Sequence, residues 1–257
     1  VLGALARGHA LAVRALQPLL SAAQPQAIEP AVVLEKLGTR HTALNLKAEA
    51  GASYQEALRL WATSEFSEDR ATEAAFRRGV VLHRLGELKA SQESFRSAVR
   101  LDPERQGIYA QLISYLVIQR RLDDAIEFYR LAYNQDQIDG MWKIYYSLWI
   151  EGLSRRLGRG PYPRAAGYLE HSRGDTWQDT LARLYTGAIA AEALLKRAEN
   201  NGQRVEHEFY TALLDLAEGR TGEARIKLEN VIQSKLLGFF EYRMAWAILH
   251  DELSRKE

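Results

Sequence analysis

The chain has 257 residues, 47% of them hydrophobic, and its 34 Lys and Arg against 33 Asp and Glu leave a formal net charge of +1. That balance supplies no global field to attract a nucleic-acid backbone or an anionic membrane, so a polyanion partner is disfavoured and nucleic acid is not expected. The absence of cysteine removes disulfides, thiolate metal sites, iron–sulfur clusters and a cysteine nucleophile together, and no run of eighteen apolar residues is present to span a bilayer.

The first residue is Val1 rather than Met, so an upstream signal, lipid anchor or further domain is expected to be missing from this stretch. "VLGALARGHALAVRALQPLLSAA" has no acidic residue before Glu29 and places its leucines on one helical face beside Arg7 and Arg14. It reads as a helix packed on the next one. The other reading is a targeting or membrane-surface helix, but Arg7, His9 and Arg14 interrupt any signal-peptide core. Residues 1–37 are therefore expected to form an N-terminal helical cap.

Over residues 38–172 the chain repeats its own plan every 34 residues. Ala57, Ser91 and Ala125 form one column, and Trp61, Phe95 and Tyr129 a second. Ser64, Ala98 and Ala132 form a third, with Tyr54, Leu88 and Leu122 ahead of them. An earlier half-unit has the same offset: Asn45, Gly79, Ile113 and Ser147, then Ala48, Leu82, Leu116 and Ile150. Each unit is a pair of helices, in which small residues let two axes approach and a large residue one turn away fills the space beside the crossing. Gly86 suits a left-handed helix end, and Asp102-Pro103 stops the second helix because proline cannot continue it. Arg120 and Gln137 stand at these places in the next copy, so packing is expected to fix those ends.

After Ile150 the register breaks, and "SRRLGRGPYPR" inserts about six residues before Ala165 and Leu169 resume the second-helix pattern. It reads as an exposed loop. Arg155, Arg156, Arg159 and Arg164 make it the most basic spot in the chain, either an anion or acidic-partner contact or a solvated loop. Residues 173–257 read as a C-terminal helical region. "TWQDTLARLYTGAIAAEALLKRAEN" is one long helix or two short ones divided at Gly187, ended by Asn201-Gly202. "EHEFYTALLDLAEGRTGEARIKLENVI" returns to the repeat plan through Ala212, Gly219, Ala224, Leu228 and Val231, and "FFEYRMAWAILHDEL" is a closing helix.

Motifs for chemistry fail on inspection, so no catalytic residue, metal ligand or cofactor is expected and the chain reads as a non-enzyme. "HEFYT" at His207 starts like a zinc-protease helix, but the residue one turn on is Thr211. No two of the six histidines are three or four residues apart, and no phosphate-binding glycine loop, nucleophile elbow or dinucleotide fingerprint is present.

Gly79, Leu82, Gly86, Leu88, Ser91, Phe95, Ala98 and Asp102-Pro103 together resemble the tetratricopeptide repeat. Trp177, Leu184, Tyr185 and Gly187, followed by "EHEFYTALLDLAEGRTGEA", "FFEY", Ala245 and Leu249, resemble the C-terminal block of NlpI-type bacterial lipoproteins. The first resemblance implies an all-α fold, a right-handed superhelical solenoid of stacked antiparallel helix pairs. The second implies a homodimeric adaptor facing the periplasm that docks proteases and peptidoglycan hydrolases, although the lipid-attachment cysteine of that family is not in this sequence.

In such a solenoid the first helices of successive pairs line a concave channel. By the register these positions are Phe76, Val80, His83 and Arg84, then Ala110, Ser114, Val117 and Ile118, then Met141, Ile144 and Leu148. Tetratricopeptide domains that grip C-terminal carboxylates carry Lys, Asn and Arg at several of these places, so Phe76, Val80, Ala110 and Ser114 argue against that clamp. The channel reads apolar and suits a peptide or amphipathic helix of another protein, unless terminal helices or a second copy of the chain cover it. Phe239, Phe240, Tyr242 and Trp246 mark the C-terminal helix as a candidate homodimer face or as core. The expected function is an adaptor, periplasmic or outer-membrane-associated by resemblance, or cytoplasmic. The alternative is a regulatory or oligomerisation segment of a larger protein.

Overall fold

A computed structural model describes residues 28–44, 46–63 and 67–250. The N-terminal segment with Arg7, His9 and Arg14, the column positions Asn45 and Ser64, and the last residues of the closing helix lie outside these. The described residues are all-α, built from antiparallel helix pairs, and the chain divides into two compact units, Val1–Pro103 and Glu104–Glu257.

In the first unit, α1 (Ile28–Ala43) pairs with α2 (Lys47–Thr63), and α3 (Glu68–Arg84) with α4 (Leu88–Leu101). The second pair is built as the sequence implies. Phe95 lies so close over Gly79 that a β-carbon there would sit 2.4 Å from the ring, and the buried Ser91 hydroxyl donates to the Gly79 carbonyl at 2.8 Å. A glycine therefore permits the crossing and a serine satisfies a backbone acceptor beside it. Phe76 joins from α3, its ring centroid 5.9 Å from that of Phe95.

The first pair departs from the expected columns. A β-carbon on Gly38 would meet Tyr54 at 2.6 Å, so Tyr54, not Trp61, takes the place of Phe95. Ala50 and Ala57, both buried, then match Ser91 and Ala98. The displacement is seven residues, nearly two helical turns, and it leaves the same face inward. Periodicity alone cannot detect such a slip. Trp61 is buried all the same, in a cluster with Ala31, Leu34, Tyr54 and Val81.

The second unit contains α5 (Gln106–Ile118), α6 (Leu122–Tyr133), α7 (Gly140–Arg156), α8 (Pro163–His171), α9 (Trp177–Tyr185), α10 (Ala191–Lys196), α11 (Asn201–Ala217), α12 (Thr221–Gln233) and α13 (Phe240–Ile248). Helix α7 is its centre, packed against α5, α6, α8, α9 and α11. The Tyr129 hydroxyl from α6 meets the Ser147 hydroxyl of α7 at 3.0 Å, and Gly152 lets Leu213 of α11 approach so closely that a β-carbon would stand 2.8 Å from it. Ala165, Leu169, Ala212, Ala224, Leu228 and Val231 are all buried, as the repeat plan requires.

Two helix ends correct the reading of the sequence. Arg120 adopts φ 57°, the left-handed conformation that Gly86 adopts with φ 84°. The same paired bonds close both helices: Gly86 N–H to His83 O and Glu87 N–H to Leu82 O, then Arg120 N–H to Val117 O and Arg121 N–H to Leu116 O. Asn201-Gly202 opens α11 instead of ending the helix before it, because the Asn200 side chain accepts from the Gln203 N–H at 3.0 Å and caps the new helix. Gly187, with φ 75°, separates two short helices, α9 and α10.

Candidate functional site

The groove positions fall in both units and are described unit by unit. On α3, Phe76 and Val80 are buried to the margin of the surface, His83 is half-buried and Arg84 is exposed. In the second unit Ser114, Val117, Ile144 and Leu148 are buried and Ile118 is half-buried. Helix α13 packs against α5, and α11 against α7. Ser114, Val117 and Leu148 are thus buried within the unit, and Ile144 lines a cleft. Met141 of the same series, in the first turn of α7, is 39% exposed.

The arginines are drawn into internal contacts. Arg155 donates to the Tyr185 carbonyl at 3.1 Å and lies over that ring. Arg159 pairs with Asp123 at 2.9 Å, and Arg164 lies over the Tyr133 ring. Arg155 and Arg156 belong to α7 itself, so the connection is shorter than expected, 157–162. It is braced by the buried Glu151, whose carboxylate accepts from the Tyr162 N–H at 2.7 Å. Arg155, Arg159 and Arg164 thus engage separate partners. His207 likewise serves the fold. One ring nitrogen lies 3.1 Å from the Ala191 carbonyl, and burial moves its pKa down. Among the described residues no group of three or more His, Asp and Glu is arranged to hold a metal ion.

Two of the clefts among the described residues lie in the second unit. The larger, about 360 Å³, lies where α7 begins, between Asp139, Met141 and Ile144 on one side and Tyr168, His171 and Asp179 on the other. Its rim is kept in shape by a capping box, in which the Thr176 N–H donates to Asp179 at 3.1 Å and the Asp179 N–H donates to the Thr176 hydroxyl at 3.2 Å.

The smaller cleft, about 190 Å³, has aromatic walls and an acidic floor. Trp142, Tyr145 and Trp149 lie at spacings of three and four on α7, which places them on one helical face. Phe240, at the start of α13, closes the wall, with centroids 6.0 Å from Trp142 and 5.2 Å from Trp149. Beneath them are two carboxylates, Glu206 and Glu241, 7% and 4% exposed. Glu206 accepts from the Tyr145 hydroxyl at 2.7 Å and from the Trp177 indole. Glu241 accepts from the Tyr210 hydroxyl at 2.8 Å, which in turn accepts from the Trp149 indole at 3.0 Å. Burial, reinforced by the neighbouring Glu241, pushes the Glu206 carboxyl up to about 7, and burial raises Glu241 as well. The aromatic half of this cleft is legible in the sequence as the α7 stripe. Its acids lie on helices distant along the chain, and no local pattern pairs them.

The tetratricopeptide-repeat model TPR_8 matches residues 72–105, the stretch in which Gly79, Ser91 and Phe95 interlock. The lipoprotein NlpI homolog of Haemophilus influenzae is 24% identical, over 70% of this chain and 69% of that protein. Among the described residues no helix is long and apolar enough to cross a membrane. Stacked helix pairs of this kind are protein-interaction scaffolds, whose side chains present extended surfaces to partners. From the interlocked repeat and the long but distant match, the chain carries a tetratricopeptide repeat over residues 72–105 and resembles NlpI-type lipoproteins.

Proposed function

We propose that this chain is a non-enzymatic adaptor that holds a segment of another protein, an extended peptide or an amphipathic helix, and that it works in the bacterial cell envelope. The observation that carries the reading is the interlocked repeat pair from α3 to α4, a construction used to display surface to partners. The envelope location is supported by the Haemophilus relative, which is named a lipoprotein. Within the second unit the partner engages the start of α7, where Met141 is exposed at the mouth of the larger cleft and offers an adaptable apolar contact. In the first unit His83 and Arg84 orient a segment lying along α3. The buried Phe76 and Val80 support that face from beneath.

The test is affinity purification of the tagged chain from its native cells, followed by mass spectrometry. Because Met141 is exposed, Met141→Glu is expected to leave the helical circular dichroism signal unchanged while reducing the co-purifying partner by about tenfold. Equal recovery of the partner with the variant would overturn the assignment.

A second copy of the chain is a further partner under this proposal. Trp246 is 47% exposed on α13 and stacked on His250, so an apolar indole faces outward. Light scattering is expected to give the mass of a dimer for the wild type and that of a monomer for Trp246→Ala. A monomeric wild type disposes of the homodimer.

A further inference from the structure

We propose that the smaller cleft of the second unit receives the cationic side chain of a lysine or arginine carried by a bound polypeptide, an inference that rests on the adaptor reading above. The walls include the rings of Trp142, Tyr145 and Phe240, and the floor is the pair Glu206 and Glu241. Aromatic faces attract cations through the ring quadrupole, most strongly where water is excluded. Phe240 already does so: the Arg243 guanidinium lies 4.7 Å from its centroid, and Arg243 is not part of the cleft lining.

The acids argue for the sign of the ligand. Two carboxylates that repel each other are held under aromatic rings, and the hydrogen bonds to Glu206 come from neutral groups, Tyr145 and Trp177. Buried carboxylates normally have a cation or lose their charge. The raised pKa of Glu206 inclines it towards the second outcome in the unliganded chain, and an entering cation restores the first. A volume of about 190 Å³ admits one side-chain head and its nearest methylenes, not a folded element.

Binding is then linked to ionisation. The groups facing Glu206 are Tyr145 from α7, Trp177 on α9 and Glu241 from α13. Gln178 on α9 donates to the Tyr145 hydroxyl. Tyr210 on α11 and Arg243 on α13 face Glu241. A bound cation favours the charged carboxylate, so affinity rises as pH passes upward through the Glu206 pKa of about 7.

The experiment is a titration of the full chain, followed by the indole N–H resonances of Trp142 and Trp149. The probes are short Gly/Ser peptides with one central lysine or arginine. Their controls replace lysine by norleucine and arginine by citrulline, and a third arm uses tetramethylammonium chloride. The basic peptides are expected to shift both indoles and to bind more tightly at pH 8 than at pH 6, while the neutral ones have no effect. Glu206→Gln and, separately, Trp142→Ala are each expected to weaken binding by about tenfold. Equal binding of neutral and basic peptides, or no binding of any cation, overturns the proposal. Tetramethylammonium binding without peptide binding overturns the polypeptide source. Loss of partner capture with Met141→Glu reads the adaptor function by itself, so a failed titration beside a successful capture removes this inference alone.

Discussion

Replacing Gly79 by alanine is expected to lower the stability of the first unit by about 1–3 kcal/mol in urea denaturation, because the new β-carbon arrives 2.4 Å from the Phe95 ring in a pair of helices already in contact. The sign is the point. Glycine to alanine within a helix ordinarily stabilises by about 0.5–1 kcal/mol. Gly51, inside α2, has nothing within 4 Å of its would-be β-carbon, and Gly51→Ala is expected to show that ordinary gain. One substitution at two helical glycines thus yields opposite signs, decided by whether an aromatic ring stands opposite. Trimming the ring should relieve the conflict, so Phe95→Leu combined with Gly79→Ala is expected to cost less than the separate losses added together. A stabilising or neutral Gly79→Ala would mean that the helices do not cross at this residue.

That pair also shows what the sequence makes legible. A 34-residue recurrence of small and aromatic positions requires helices that meet at the small residue, and Gly79, Ser91 and Phe95 meet there. The same recurrence misplaces the first pair by seven residues, since a shift of nearly two turns returns the apolar stripe to the same face and only contacts such as Gly38 on Tyr54 reveal it. Arg120 illustrates another limit. Its left-handed backbone is imposed by the paired bonds from Arg120 and Arg121, a demand that no side-chain preference announces. The groove reading met a tertiary limit as well. Register assigns Val117, Ile144 and Leu148 to an open channel, but it does not say that these side chains are buried in the folded unit. Periodic patterns record which face is apolar, and burial by a distant segment satisfies them as well as a ligand does.

The acidic floor of the smaller cleft leads to the other large effect, a reversal of relative stability with pH in Glu206→Gln. In the unfolded chain this carboxyl titrates near 4.5; in the folded unit burial and Glu241 hold it near 7. Between these values the folded state keeps a proton that the unfolded state has released, so stability falls as pH rises. Below about 4.5 both states are protonated and the penalty is absent. Above about 7 it is complete, and a gap of that width amounts to about 3 kcal/mol. Glutamine removes the ionisation but replaces one of the two acceptor oxygens that meet Tyr145 and Trp177, a loss of about 1 kcal/mol at every pH. The variant is therefore expected to be less stable than the wild type by about 1 kcal/mol at pH 4.5 and more stable by about 2 kcal/mol at pH 8, the two curves crossing in between. Four of the five tryptophans, Trp142, Trp149, Trp177 and Trp246, lie in the second unit, so intrinsic fluorescence during urea unfolding reports mainly on the unit that carries the change. Parallel stability curves for wild type and variant would show that Glu206 ionises freely in the folded chain, and the aromatic cleft would then have a charged floor without the cost that calls for a cation.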